Sequence, residues 1–277
     1  MRKTSMMMSF AVFVVLSLVG GLWAAPVASA ADDEIVIGFS NWSKRFVFYQ
    51  ELERGILYAA AENGVRVIVS DPNGDQATQQ AQVENFITQG VDGMIIIPVD
   101  SRAVVPTVLT ANDANVPVVT ADISAAGGDV VSHIASDNRL GGSLAAERLS
   151  EVLGGEGKVA VITYPVISTT IEREEAFLEA IKDYPGIEVV ATQSGQSQRD
   201  QAMSVTENFL QRYPDLDGIF AVNDMQGLGA LAAVEAAGKG DQVAIVGFDA
   251  EPEAVAAMEA GSAYTGSVAQ QPYLIGK

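Results

Sequence analysis

Polar side chains follow several apolar runs of the sequence, at the points where buried strands are expected to end. Asp122 and Asp249 each close such a run, and Asn223 follows a third. Ligands of open α/β sheets collect at the carboxyl ends of the strands, and a carboxylate accepts strong hydrogen bonds from two neighbouring hydroxyls. These residues therefore favour a site for a polyhydroxylated molecule. Asp71 and Asp100 also follow apolar runs, but a turn signal or a helix comes next, so we expect turn and cap residues there.

Four aromatic residues, Trp42, Phe46, Phe48 and Tyr49, lie between the first apolar run and the helix after it. Core packing is the usual fate of such side chains. Aromatic faces beside a strand end can also form a wall for the apolar face of a bound ring. We expect Trp42 and at least one of Phe48 and Tyr49 to form such a wall.

The composition excludes most catalytic and metal chemistry. The 277 residues include no cysteine and one histidine, His133, so Cys–His nucleophiles and most zinc sites lack their parts. The sequence contains none of the motifs G-x-G-x-x-G, G-x-x-x-x-G-K-[ST] and G-x-S-x-G. A net charge of −19, from 16 Lys and Arg against 35 Asp and Glu, argues against a nucleic-acid partner. We expect no catalysis, metal or cofactor, and a structural role for His133.

From Glu34 onward, short apolar runs alternate with longer amphipathic stretches. The runs are nearly continuous in apolar residues, as parallel strands buried on both faces are. They cover residues 35–40, 65–70, 93–99, 116–121, 159–163, 187–191, 218–222 and 243–248. The stretches between them have helical spacing, as at Ala202, Val205, Thr206 and Phe209. This alternation predicts an α/β fold with doubly wound parallel sheets.

The second half of the chain repeats the pattern of the first. Three short matches keep a nearly constant offset, between 122 and 125 residues. They pair residues 64–68 with 186–190, 84–87 with 207–210, and 92–95 with 217–220. The repeat predicts two similarly built lobes that join near residues 134–140.

The first thirty residues have the parts of a secretory signal peptide. Arg2 and Lys3 precede an apolar run from Phe10 to Trp23, and the segment ends at Ala28-Ser29-Ala30. An uncleaved anchor is the alternative, but a bilayer span needs about 20 apolar residues. We expect cleavage after Ala30 and export of a chain that begins at residue 31.

Longer stretches resemble the ribose-binding-protein branch of the type 1 periplasmic binding proteins, which serve ABC importers. The most specific is VVSHIASDN at 130–138, with Gly141 and Gly142 after it. Further similar stretches are AVND at 221–224, VGFD at 246–249 and VAQ at 268–270. The resemblance implies two lobes that close on one solute by hinge bending and then dock on a permease in the inner membrane.

Position by position, the resemblance implies ligand contacts and lobe boundaries. The implied contacts are Asp122, Asn223, Asp249 and Gln270, with Phe48 and Tyr49 as an aromatic pair around the ligand. Together with Trp42 they form the predicted ligand-binding site. The implied organisation is a signal peptide over 1–30, an N-terminal lobe over 31–136 to which 271–277 return, and a C-terminal lobe over 137–270.

The sequence also departs from ribose-binding proteins. Ile123 and Ile171 stand where those proteins have ligand arginines, Arg173 comes two positions later, and Ser197 replaces an aromatic residue. Loss of guanidinium donors favours another sugar, a deoxy sugar or a polyol over ribose. Family members also continue past Lys277, so we expect that a C-terminal helix and strand of roughly 35–40 residues are missing here.

These observations predict an exported, monomeric solute-binding protein that captures a sugar or polyol in the periplasm for an ABC importer. The alternative is a periplasmic sensor protein that presents the bound molecule to a membrane receptor. Both use the same binding chemistry, so the sequence leaves the choice open.

Overall fold

The computed structural model describes residues 34–277, so the predicted signal peptide over 1–30 lies outside the described residues. Within residues 34–277, no helix combines the length and the apolar character needed to cross a membrane. This part of the chain forms ten strands, nine α-helices and one short 3₁₀ helix.

The first half of the described chain builds a parallel sheet with helices between its strands. Its strands are β1 (Val36–Ser40), β2 (Arg66–Ser70), β3 (Gly93–Ile96), β4 (Val118–Ala121) and β5 (Ser132–Ile134). Its helices are α1 (Val47–Glu62), α2 (Gln76–Gln89) and α3 (Val105–Asp113). The strand order is β2-β1-β3-β4-β5. We call this unit the N-terminal lobe.

The second half builds another parallel sheet, which we call the C-terminal lobe. Its strands are β6 (Glu156–Thr163), β7 (Gly186–Ser194), β8 (Gly218–Ala221), β9 (Ala244–Asp249) and β10 (Tyr264–Ala269). Its helices are α4 (Asn138–Leu153), α5 (Ser168–Ala180), the 3₁₀ helix Ile181–Asp183, α6 (Arg199–Arg212), α7 (Asp224–Ala236) and α8 (Pro252–Glu259). The strand order is β10-β9-β8-β6-β7. Read from the β7 edge, the order is β7-β6-β8-β9-β10, in which each strand has the same place as its counterpart in β2-β1-β3-β4-β5. The two lobes therefore share one strand order, which confirms the predicted repeat.

The two parallel sheets confirm the predicted fold class. Two strands are shorter than the apolar runs that predicted them. β3 ends at Ile96, before Pro98, and β4 begins at Val118, after Pro117, because proline lacks the N–H group that a strand ladder requires. The sequence analysis missed β10, whose residues YTGSVA at 264–269 include a glycine and three hydroxyl side chains instead of an apolar run.

Burial on both faces explains why the predicted strands read as continuous apolar runs. Along β6, Val159 and Val161 pack on one face with Phe177. Ile162 packs on the other face with Phe209. Successive side chains of a strand point to opposite faces, so a strand covered by helices on both sides needs apolar residues at every position.

Two segments of the described chain pass between the lobes. One joins β5 to α4, and the other follows β10 and forms α9 (Pro272–Gly276), which packs against α1. The strand ends and the crossing segments therefore lie on the same side of both sheets. The lobe boundaries at residues 136/137 and 270/271 stay predictions.

Helices α4 and α5 approach each other so closely at Gly142 that a side chain has no room. A Cβ built on Gly142 would lie 2.4 Å from the carbonyl oxygen of Arg173. Ordinary helix propensity favours alanine over glycine by about 1 kcal/mol. Packing therefore predicts that an alanine here lowers the stability of the fold, whereas helix propensity predicts that it raises the stability.

We expect Gly142→Ala to lower the free energy of unfolding by about 1–3 kcal/mol, because overpacking at this contact outweighs the propensity gain. Chemical denaturation of the ligand-free protein measures this change. The control is Gly240→Ala, because a Cβ there would meet nothing within 4 Å. A Gly142→Ala variant as stable as the wild type would contradict the close packing.

Candidate functional site

The carboxyl ends of both sheets open onto one cleft between the lobes. The cleft is lined by residues that follow β1 and β4 in the N-terminal lobe and β8, β9 and β10 in the C-terminal lobe. All seven residues of the predicted site lie there: Trp42, Phe48, Tyr49, Asp122, Asn223, Asp249 and Gln270. The structure therefore brings all seven residues together, while their role in binding a ligand stays a prediction.

The space inside the cleft is small. The cavity has a volume of about 50 Å³. One water molecule needs roughly 10–15 Å³ on the same measure. The cleft is therefore large enough for a single small ring, and not for an oligosaccharide or a peptide.

Asp122 is a buried acceptor in a strained backbone position. It is 3% exposed, and its φ of 58° lies in the left-handed region that residues other than glycine rarely adopt. Its Oδ2 accepts a hydrogen bond from the Tyr49 hydroxyl at 3.1 Å, while its buried Oδ1 has no partner among the described residues. Burial raises the pKa of the Asp122 carboxyl to about 6, against the opposing effects of Arg173 and of the Tyr49 hydrogen bond.

Asp249 occupies the equivalent strand end in the C-terminal lobe, also at positive φ (114°). Its Oδ1 accepts hydrogen bonds from Gln270 Nε2 at 2.7 Å and from Arg173 Nη1 at 3.4 Å. Burial raises the pKa of the Asp249 carboxyl well above its usual range, and although Arg173 opposes this shift, the nearby Asp224 adds to it. Gln270 leaves its own buried Oε1 without a partner among the described residues.

Arg173 corrects one expectation from the sequence, which counted both guanidinium groups of the site as lost. Its side chain lines the cleft and is 4% exposed. Nε donates to Asn138 Oδ1 at 2.8 Å, Nη1 donates to the Val222 carbonyl at 3.0 Å, and the guanidinium lies 3.8 Å from the centre of the Phe248 ring. One guanidinium group is therefore present in the cleft, but its Nε and Nη1 groups donate hydrogen bonds to the protein itself.

Asn223 combines the two roles that the sequence analysis weighed for strand-end residues. Its Oδ1 accepts a hydrogen bond from Gln226 N at 3.0 Å and caps α7. Its Nδ2 donates to Ser197 Oγ at 2.9 Å, and both residues line the cleft. The cap fixes the orientation of the amide, which sets the position of the Ser197 hydroxyl.

The aromatic cluster forms part of the core and of the cleft wall at once. Trp42, Phe48 and Tyr49 are each 8% exposed and belong to one hydrophobic cluster. Trp42 stacks on Tyr49 with ring centres 5.7 Å apart, and its Nε1 donates to the Val99 carbonyl at 3.3 Å. Packing therefore holds the rings that border the cleft in fixed positions.

Asp71, Asp100 and His133, for which the sequence predicts turn, cap or structural roles, lie outside the cleft lining. Asp71 accepts hydrogen bonds from the backbone N–H groups of Lys44 and Asn73, and Asp100 accepts two from the turn that follows it. His133 Nδ1 lies 2.9 Å from Thr120 Oγ1 on the neighbouring strand. The predicted turn and cap roles are confirmed, and the contact of His133 fits a structural residue.

Sequence reasoning missed several lining residues that come from helix starts. Ile167, Thr169 and Thr170 lie at the start of α5, and Met225 and Glu251 lie at the starts of α7 and α8. Their position in the sequence could have identified them, because the helix that follows each strand begins at the edge of the sheet where ligands bind.

Three serines join the lobes beside the cleft, and we call them the serine latch (Ser101, Ser124 and Ser168). Ser101 Oγ accepts a hydrogen bond from Ser168 N at 2.9 Å, and Ser168 Oγ accepts one from Ser124 N at 2.9 Å. Ser101 N also donates to the Val166 carbonyl at 3.3 Å. Helix α5 lacks a side-chain cap of its own at Ile167, so the N-terminal lobe supplies a partner for one of its free N–H groups.

Two similar α/β lobes around a small cleft of carboxylates, amides and aromatic rings define the class of two-lobed binding proteins that enclose a small molecule. A model of the periplasmic binding protein domain matches residues 37–277. The chain belongs to the periplasmic binding protein family, which confirms the resemblance seen in the sequence.

Individual relatives are similar along most of the chain. The ribose import binding protein of Bacillus subtilis is 38% identical over 279 residues, which cover 100% of this chain and 90% of that protein. The Caulobacter myo-inositol binding protein, solved with myo-inositol, is 32% identical with a TM-score of 0.81, over 87% of this chain and 83% of that one. An ABC transporter solute binding protein from Agrobacterium vitis, solved with α-D-tagatopyranose, is 32% identical with a TM-score of 0.82, over 88% and 85% of the two chains.

We expect the double variant Ser101→Ala/Ser168→Ala to open the ligand-free protein. Each lost hydrogen bond is worth about 0.5–1.5 kcal/mol, so the balance between closed and open lobes shifts toward open. Distance measurements between fluorophores on the two lobes detect the change. Ser204→Ala is the control, since that exposed hydroxyl bonds only within its own helix. Unchanged distances in the double variant would show that the latch does not hold the lobes.

The raised pKa of Asp122 predicts a pH-dependent stability difference. Between the usual value of 3.8 and about 6, the folded protein holds a proton that the unfolded chain has lost. Stability therefore falls as the pH rises through this window. The neutral Asp122→Asn avoids this loss, so its advantage over the wild type should grow from pH 4 to pH 7, by up to about 3 kcal/mol. Denaturant unfolding of both ligand-free proteins at each pH measures it, and a difference independent of pH would contradict the assignment.

Proposed function

We propose that this protein is an exported solute-binding protein that encloses one sugar or polyol between its lobes and delivers it to an ABC importer, without catalysis. The observation that carries this proposal is a pair of buried acceptor atoms, Asp122 Oδ1 and Gln270 Oε1. Both side chains line the cleft, and neither atom has a partner among the described residues. Buried acceptors need a donor, and a ring with several hydroxyls supplies donors.

The aromatic wall supports the same ligand class. The ring of a sugar or cyclitol has apolar C–H faces as well as hydroxyl edges. Trp42, Phe48 and Tyr49 present apolar surface on one side of the cleft, while the strand-end carboxylates supply acceptors. A small polyhydroxylated ring matches both surfaces and the size of the space.

The inventory of hydrogen-bond groups supports a ligand other than ribose. Ile123 directly follows Asp122, is fully buried in a hydrophobic cluster and offers no donor. Arg173 uses its donors largely on Asn138, Val222 and Asp249. The site thus favours ligands that bind mainly through their own hydroxyl hydrogens, such as another sugar, a deoxy sugar or a polyol.

The sequence and family membership support the remaining parts of the proposal. They are a signal peptide over 1–30, an N-terminal lobe over 31–136 with 271–277, a C-terminal lobe over 137–270, and a periplasmic location. They also include an inner-membrane permease as partner, and action as a monomer without metal, cofactor or nucleic acid. The named ligands of the relatives, among them ribose, myo-inositol and tagatose, support the ligand class and leave the particular ligand open.

Two measurements test the proposal. Mass spectrometry of the native protein identifies any small molecule that it retains through purification. Calorimetry against pentoses, hexoses, deoxy sugars and polyols should then give saturable binding of at least one compound with one site per chain. The absence of saturable binding across the whole panel would reject the proposed function.

We expect Asp249→Ala to weaken binding of that compound about 5–150-fold, because it removes a charged acceptor and leaves Gln270 and Arg173 without their partner. Asp71→Ala should change affinity less than about twofold, since Asp71 bonds only to nearby backbone and lies outside the cleft lining. Asp249→Asn keeps the shape and separates loss of charge from loss of fold. Equal effects of Asp249→Ala and Asp71→Ala would contradict the site assignment.

A further inference from the structure

The charges that line the cleft do not balance. Three acidic side chains, Asp122, Asp249 and Glu251, face one basic side chain, Arg173. Asp224 lies just beneath, fully buried, and accepts hydrogen bonds from Tyr264 and Ser267. The buried end of the cleft thus has an excess of carboxyl groups.

Two of the three guanidinium nitrogens of Arg173, Nε and Nη1, already donate hydrogen bonds to the protein. Among the described residues, Arg173 forms one ion pair, with Asp249. Its other hydrogen bonds go to the Asn138 side chain and the Val222 carbonyl. Glu251 faces the Phe48 backbone N–H in the first turn of α1, where the helix dipole favours negative charge. Asp122 has only the neutral Tyr49 hydroxyl as a bonded partner.

A carboxylate in this situation is costly to bury. Charged groups inside proteins are normally paired or become neutral, and the raised pKa of Asp122 reflects that cost. The unpartnered Oδ1 of Asp122 is buried. A positive charge on the ligand would compensate the cost more strongly than a hydroxyl, because it adds the attraction between opposite charges to the hydrogen bond, and that attraction is strong where water is excluded.

The aromatic wall favours the same kind of ligand. Trp42, Phe46, Phe48 and Tyr49 line the same cleft as Asp122. Aromatic faces attract cations within about 6 Å of the ring centre. No lysine lines the cleft, and among the lining residues Arg173 is the one cation.

We propose that the preferred ligand is a sugar or cyclitol that carries an amino group, with its ammonium paired to Asp122. This inference rests on the proposed function and narrows its ligand class. The hydroxyls of the same ring bind Asp249 and Gln270, and its apolar face lies against the aromatic wall. The ammonium adds a second positive charge to a cleft whose lining contributes only that of Arg173.

Calorimetry with matched pairs tests the inference, because –NH3⁺ and –OH are nearly equal in size. The pairs are glucosamine and glucose, galactosamine and galactose, mannosamine and mannose, and an aminodeoxy-inositol and myo-inositol. At pH 7.5 we expect the amino compound of at least one pair to bind ten-fold or more tightly than its hydroxyl partner. In Asp122→Asn this preference should fall below threefold, and salt should weaken it in the wild type.

The control is Asp113→Asn, an exposed carboxylate at the end of α3, which should keep the full preference. Circular dichroism and thermal unfolding verify that Asp122→Asn is folded. If hydroxyl compounds bind and no amino compound binds more tightly than its partner, the inference is wrong and the proposed function stands. The inference is also wrong if Asp122→Asn keeps the full preference for the amino compound. If no compound of any pair binds, the inference is wrong, and the wider panel of pentoses, deoxy sugars and polyols decides the proposed function separately.

Discussion

Burial of two carboxylates at matching strand ends is the constraint on which the rest of the site depends. Asp122 follows β4 and Asp249 ends β9, and the duplicated strand order gives both the same place in their lobes. Each stands at positive φ, and such strain persists only where the surrounding structure enforces it. The Tyr49 hydroxyl, the Gln270 amide and the Arg173 guanidinium act as that support.

The parts of the fold that were predictable are those encoded locally along the chain. Strands covered on both faces must be apolar at every position, so their runs and the polar residues that end them were visible. β10 was not visible, because Gly266 and Ser267 break its apolar pattern. The serine latch was also hidden, since it joins Ser101 and Ser168 across 67 positions and hydroxyl residues of this kind are common in any sequence.

Arg173 shows why a site cannot be assigned by sequence position alone. Successive helix residues rotate by about 100°, so residues two positions apart point to nearly opposite sides. Ile171 accordingly borders an outer groove with Glu175, while Arg173 points into the cleft and stacks on Phe248. The sequence pointed to this helix, and only the three-dimensional structure identified which face of it lines the cleft.

The serine latch has a consequence for the rate at which the protein loads. Under the proposed function, with the lobes joined at Ser168, a solute would wait until they separate before it enters. The association rate then depends on how often the empty protein opens, and the residence time on how long the filled one stays shut. A stronger latch would slow both entry and exit, so the hydrogen bonds of these small side chains set a pace for capture as well as an affinity.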